Sequence, residues 1–205
     1  SSLSWCEASA ERVACGRKFS EMTAPTPTAI PGFLHAENKG AIDLRNGLLA
    51  YGCGVVVVVC PVSVQLVQSL DGHKARVCQV RWAPRPPSRC SLLEDCQPLL
   101  ASADTNGDVI VWDALRGERV VAIPRPSNAQ ALLRMHWLPQ RPNLLLCAHS
   151  PGVLTLRQVS ADDGAAELLW RCDYPEPLAL IDFDPFVPSR VAVLAPFWSP
   201  SRVAV

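Results

Sequence analysis

The sequence lacks every short signature that would mark an enzyme or a metalloprotein. It has no Gly-x-Ser-x-Gly elbow, no phosphate-binding loop, no His-Glu-x-x-His and no Gly-x-Gly-x-x-Gly after a strand. Acyl transfer, nucleotide binding, zinc hydrolysis and dinucleotide binding thereby lose their usual local machinery. No Cys-x-x-Cys occurs, and the nine cysteines, an odd number, show no paired Cys/His spacing of the zinc type. Cys53, Cys60, Cys78 and Cys147 fall within apolar runs, where a thiol serves as a small hydrophobe. Reduced thiols in a cytosolic chain are the expectation, with no catalytic residue, no cofactor, no metal and no small-molecule substrate.

Concentrated charge is missing as well. The 19 cationic residues, 16 of them arginine, balance 19 acidic ones, so nothing favours direct nucleic-acid or acidic-membrane binding. Nor is there a membrane-spanning run. The most apolar window, Leu48 to Cys60, holds 13 residues and stops at Pro61, short of the roughly 20 that a helix needs to cross a bilayer. Its five valines, 55 to 59, favour a buried strand, because branching at Cβ suits the pleated backbone. Ser1 to Ala10 has no basic-then-apolar order, so no leader is expected and an intracellular location follows.

Proline and glycine are plentiful, 19 and 11 residues, and fall between apolar runs as punctuation between short strands. Three segments repeat one pattern: an alternating strand ending in an aromatic, one residue, then proline. They end at Trp82-Ala-Pro84, Trp137-Leu-Pro139 and Phe183-Asp-Pro185, and a second apolar run follows each, at Pro98–Ala103, Asn143–Ala148 and Arg190–Leu194. The central unit is the most complete. Gly72-His73 precedes a strand over Ala75–Trp82, and a long loop leads to Pro98–Ser102. The turn Asp104-Thr-Asn-Gly107 then opens Asp108–Asp113, and Arg116-Gly117 leads to Glu118–Ile123. Four short strands joined by turns are expected here.

A Gly-His pair, about forty residues and a Trp-Asp pair closing a β-branched strand resemble the WD-repeat signature of propeller blades. The resemblance implies an all-β, WD-repeat β-propeller, incomplete at about three and a half blades. It also implies a hydrogen-bonded network within the blade, assigned by position to His73, Ser102, Asn106 and Trp112. Asn106 stands where the family usually has aspartate, so a weakened bond to His73 is expected. The blades are placed at about 40–70, 72–124, 129–173 and 177–195. The third has Gln158-Val159 at its Trp-Asp position, so its network is expected to be absent or different.

More specific runs are LHAENKGAID (34–43), LLAYGC (48–53), HKA (73–75), LASADTNGDVIVWD (100–113) and FDPFVPS (183–189). They resemble the first propeller of the WD-repeat protein eleven family, which are twin-propeller trafficking scaffolds. That resemblance implies a non-catalytic subunit of a complex that captures vesicles at the trans-Golgi network, with links to cilium formation and Hedgehog signalling. The partners it implies are other protein subunits of that complex. The location it implies is the cytosolic face of trans-Golgi or vesicle membranes, the cilium base and nucleus being further sites. The alternative is an adaptor that reads short peptides through the propeller channel or a Pro-rich loop.

Residues 1–29 carry no fold inference, and the propeller covers 30–195. In the terminal segment, 196–205, Pro200–Val205 repeats Pro188–Val193 letter for letter; the expectation is a truncated or misassembled end, the alternative a real short repeat. Two features remain. Pro84, Pro87 and Arg89 form a PxxP-x-Arg pattern of the SH3-ligand type, which a solvated Arg/Pro-rich connection also produces. His35, His136 and His149 are scattered and read as structural; Asp162, Asp163 and Glu167 read as a solvated hairpin tip.

Overall fold

The computed structural model describes residues 38, 40–61, 68–84, 98–178, 180–183 and 190–194. The first sheet contains β1 (Ile42–Arg45), β2 (Leu48–Cys53), β3 (Val56–Pro61) and β4 (Gln68–Leu70), hydrogen-bonded in chain order. The second contains β5 (Val77–Trp82), β6 (Leu99–Asp104), β7 (Val109–Asp113) and β8 (Glu118–Ile123), also in chain order. In the third, β9 (Leu132–Leu138), β10 (Arg141–His149), β11 (Val153–Ser160) and β12 (Ala165–Asp173) repeat the arrangement. A pair, β13 (Leu180–Phe183) and β14 (Val191–Leu194), begins a fourth. Every pairing is antiparallel. The described residues form an open β-propeller of three blades and part of a fourth.

The valine run forms a strand, with Val57, Val58 and Val59 buried in β3. No helix among the described residues is long and apolar enough to cross a membrane.

The core lies between blades rather than within one. One cluster joins Ala41, Ala50, Val57, Val59 and Leu70 of the first blade to Val80, Trp82, Leu100, Ile110 and Trp112 of the second. Another joins Ala101, Ala103, Val109, Val111 and Ile123 of the second blade to Met135, Trp137, Leu145 and Cys147 of the third. Side chains alternate across a strand, so Leu100 faces one neighbour and Ala101 the other. Both are fully buried because radial packing covers both faces of a middle blade. Each large side chain so buried, Leu100 or Leu145, stabilises the packing by about 1.5–3 kcal/mol. At the first blade one side of the alternation is covered among the described residues. Asp43 and Arg45 reach the second blade, whereas Ile42 and Leu44 remain exposed on the opposite face of β1.

Polar side chains stitch the inner strands together. Asp43 Oδ2 accepts the amide of Trp82 at 2.8 Å. Gln79 donates from Nε2 to the carbonyl of Leu133 at 2.8 Å and accepts the amide of Met135 on Oε1 at 3.0 Å. Trp137 donates from Nε1 to the carbonyl of Arg81 at 3.0 Å. Trp82 and Trp137, from the aromatic-x-Pro pattern, are both buried between blades.

Register corrects the placing of the third blade's Trp-Asp equivalent. Trp112 pairs with Leu100, two residues before Ser102 on β6; Arg157 pairs with Leu145, two residues before Cys147 on β10. Cys147 matches Ser102, since Val80 and Ile110 flank Ser102 as Met135 and Thr155 flank Cys147. The equivalent pair is therefore Arg157-Gln158 and not Gln158-Val159. Both hairpins are in unbroken register, so the ten-residue step from Ser102 to Trp112 recurs from Cys147 to Arg157.

Candidate functional site

The best-defined polar constellation lies inside the second blade. His73, just before β5, Ser102 on β6 and Trp112 on β7 are buried and linked. Trp112 Nε1 lies 2.7 Å from Ser102 Oγ, and Ser102 Oγ lies 2.7 Å from His73 Nε2. His73 Nδ1 lies 3.3 Å from Oδ2 of Asp104. Indole N–H is a donor only and the carboxylate an acceptor only. The chain of protons thus runs from Trp112 N–H to Ser102 Oγ, from Ser102 O–H to His73 Nε2, and from His73 Nδ1–H to Asp104. The rings of His73 and Trp112 meet edge-on, 6.3 Å between centroids. Gly72 completes the packing, because a Cβ there would stand 3.0 Å from Trp112 Cη2.

Asp104 takes the place that the sequence reading gave to Asn106. Its Oδ1 accepts the amides of Asn106 at 2.9 Å and Asp108 at 3.1 Å, while its Oδ2 faces His73. The Asn106 side chain is exposed at the turn tip. An aspartate whose side chain binds its own turn two residues on is favoured at the start of such turns. The weakened bond to His73 expected from Asn106 is therefore not what the structure has: a carboxylate is there. Strand register brings Asp104 there: it is the last residue of β6 and pairs with Val77 at the entry to β5.

Asp113, the acid of the Trp-Asp pair, does a different task. Its Oδ1 accepts the amides of Leu115 and Arg116 and closes the turn into β8.

Ser102, His73 and Asp104 have the order of a hydrolase triad, but the geometry opposes that chemistry. Ser102 is fully buried, and its Oγ already receives the Trp112 N–H. A nucleophile needs a free lone pair facing substrate. Burial, the largest influence on His73, pushes its pKa below the usual histidine value despite the neighbouring Asp104. The constellation holds the blade's strands together.

In the third blade the matching positions hold other residues. His149 stands where Asp104 does, as the last residue of its strand, and Cys147 and Arg157 replace Ser102 and Trp112. His149 is buried and its Nε2 lies 2.9 Å from the carbonyl of Gly107 in the second blade's turn. His149 Nδ1 and Arg157 Nε are buried with no hydrogen-bond partner. The third blade thus turns its histidine outward to its neighbour instead of inward.

Along the inner strands, Arg81 and Arg134 stand between Asp43 and Asp182. Arg81 donates to the carbonyls of Val80 and Ile42, and Arg134 lies 3.6 Å from Asp182. A hollow beside Arg134, His136, Leu146, Ala148 and Ile181 has no room for a water-sized sphere. Among the described residues no three metal-ligating side chains cluster, and none of the five described cysteines is in a disulfide. Of the Pro-rich triplet, Pro84 is half-buried, while Pro87 and Arg89 lie outside the described residues, as does His35.

Four-stranded blades packed radially, with a His-Ser-Trp-Asp network inside one of them, define a WD-repeat propeller. The family profile described as the WDR11 first β-propeller matches residues 33–195. The chain belongs to that family. It is 36% identical over 170 residues to human WD repeat-containing protein 11, a match covering 80% of this chain and 13% of that protein. It is 28% identical over 163 residues to zebrafish Elongator complex protein 2, covering 78% of this chain and 19% of that one. Among solved structures, the C-terminal WD40 domain of Sif2 superposes with a TM-score of 0.60 at 10% identity, covering 80% of this chain and 45% of that one. The computationally designed Ika4 protein gives 0.61 at 14% identity, covering 86% of this chain and 94% of that one. These two likenesses concern the fold alone.

Proposed function

We propose that this chain is a non-catalytic interaction module of a trafficking scaffold, part of a complex that captures vesicles at the trans-Golgi network. The observation that carries the reading is the family match over residues 33–195, joined to 36% identity with human WD repeat-containing protein 11. It is supported by a polar network committed to structure rather than to chemistry. The links to cilium formation and Hedgehog signalling and a location on cytosolic trans-Golgi or vesicle membranes belong to the same reading.

The test is affinity purification of the tagged full chain from cells, with mass spectrometry and imaging against a trans-Golgi marker. Large trafficking subunits and overlap with the marker are expected. Recovery of subunits from an unrelated complex, or loss of all partners on replacing Arg81 and Arg134 alone, would replace this reading; the second outcome would indicate a peptide reader of the channel.

A further inference from the structure

Among the described residues two hydroxyl-bearing side chains are exposed, Thr105 and Ser127. Ser127 lies against a guanidinium: Arg171 Nη1 is 3.4 Å from its Oγ, and Arg171 Nη2 is 3.1 Å from its carbonyl oxygen. Arg171 stands opposite Thr155 on β11, and Thr155 stands opposite Cys147 on β10. Opposed residues share a face of the sheet, and Cys147 packs between the second and third blades. The contact therefore sits on a seam closed by described blades on both sides, where Arg171 meets the linker from β8 to β9.

That linker is held along its length. The Arg125 amide donates to Asp108 Oδ1 at 2.8 Å, and Arg125 Nη1 to the carbonyl of Asn106 at 3.2 Å. The Ala129 amide donates to the carbonyl of Pro126 at 3.1 Å, and the Gln130 amide to that of Ser150 at 2.7 Å. Ser127 is the second residue of the turn 126–129 so closed, followed by Asn128 at φ +65°, a region that asparagine tolerates. An exposed hydroxyl is thus presented on a fixed tip.

The charged groups around this tip are Arg125 and Asp108 of the second blade and Arg171 and Asp173 of the third. Arg171 holds the Asp173 carboxylate through Nε and Nη2 at 2.9–3.2 Å, so Nη1 is the end turned to Ser127. A phosphate on Oγ would meet Nη1 directly, with Asp173 across the guanidinium from it. Attraction at contact outweighs repulsion at longer range, and an arginine facing a phosphate forms a charge-assisted hydrogen bond. Ser160 is the contrast. Its Oγ donates to Asp163 Oδ2 at 2.8 Å, with Asp162 beside it, so a phosphate there would meet carboxylates. Arg125, two residues before Ser127, is also the feature that arginine-directed kinases read.

We propose that Ser127 is a phosphorylation site whose phosphate is clasped by Arg171 across the seam between the second and third blades. Ser127 Oγ attacks the γ-phosphorus of a nucleoside triphosphate held by an arginine-directed kinase. The Oγ–P bond forms and the bond from that phosphorus to the β–γ bridging oxygen breaks. The nucleoside diphosphate leaves with the electron pair, and the hydroxyl proton passes to the kinase's base. The proposal goes beyond the interaction-module reading and does not depend on it.

The experiment places phosphoserine at 127, and separately at 160, in the full chain by genetic encoding. Phosphorus NMR follows the second ionisation of the Ser127 phosphate, which lies at about pH 6 when free. It is expected at lower pH in the folded chain than in the same chain unfolded in urea, because Arg171 favours the dianion. The melting temperature is expected to rise with phosphate at 127 and to fall with phosphate at 160, and added salt shrinks the rise. Arg171→Gln removes the rise, each form being compared with its own unphosphorylated chain so that any loss of folding cancels. The unmodified folded chain, treated with nucleoside triphosphate and an arginine-directed kinase, is expected to take up phosphate at Ser127 by peptide mapping, and Arg125→Ala to slow the uptake. An ionisation unchanged by folding, a rise that survives Arg171→Gln, no rise at 127, or a folded chain left unmodified at Ser127 overturns the proposal.

Discussion

The carboxylate of Asp104 touches His73 with one oxygen and closes its own turn with the other. One side chain therefore couples the entry of the blade to its central hairpin. Asp104→Ala is expected to cost about 2–4 kcal/mol, since it strands a buried His73 N–H and two turn amides. Asn106→Ala, at an exposed position, is expected to stay within about 0.5 kcal/mol. Urea titrations followed by circular dichroism compare the two, and equal losses would contradict the assignment.

Ser102→Ala removes the relay between Trp112 and His73, leaving a buried donor and a buried acceptor without partners. A loss of about 2–4 kcal/mol is expected. Ser102→Thr keeps the hydroxyl but adds a methyl to a fully buried site and is expected to cost less than the alanine variant. The same titration ranks them.

Acid weakens the propeller through its buried histidines. Burial lowers the pKa of His73, His136 and His149, and at His149 Arg125 and Arg157 lower it further. The native state then binds fewer protons than the unfolded chain, whose histidines titrate near 6.5. Stability is full above that value and falls as pH drops below it. The urea midpoint is expected to be level above about pH 7 and to decline from about pH 6.5 toward 5. His149→Asn should make the decline shallower; an unchanged slope would mean that His149 is not one of the groups responsible.

Gly107 has φ of +87°, and a Cβ there would stand 2.5 Å from the carbonyl of Gln130. Gly107→Ala therefore adds backbone strain and a clash at the contact where His149 meets the turn. A loss of about 2–4 kcal/mol is expected, together with faster amide exchange across β10. An alanine variant as stable as the parent would show that the turn and the third blade are not tightly joined.

Cys147 is buried, and burial pushes its thiol pKa up to about 12. Since the thiolate is the reactive form, Cys147 should resist alkylation at pH 8 in the native protein and react once urea unfolds it. Peptide mapping by mass spectrometry reads this directly.

Much of the architecture was legible because it rests on local rules. The alternation of Val77–Trp82 and Leu132–Leu138, the β-branched run at Val109–Val111 and the turns between strands require only the side-chain period and the chemistry of glycine and aspartate. The positions of His73, Ser102 and Trp112 came from the resemblance to the WD-repeat signature, carried over by position along one blade. Asp104 was missed because two polar residues of one turn compete for a single place. Which of them faces His73 depends on how the turn folds back, not on how many residues it holds.

The sequence by itself determined an all-β repeat with short strands, because apolar period and turn residues act within a few positions of each other. Only the tertiary structure decided that Asp104 completes the network, that Arg157 rather than Gln158 answers to Trp112, and that His149 reaches across to Gly107. Those contacts join residues on different strands through register, and a one-residue slip changes every partner. Burial of the outer strands is decided the same way: Val120 and Val121 of β8 are half-buried because the third blade packs against them, whereas Leu168, Leu169 and Trp170 of β12 face a blade of which two strands are described.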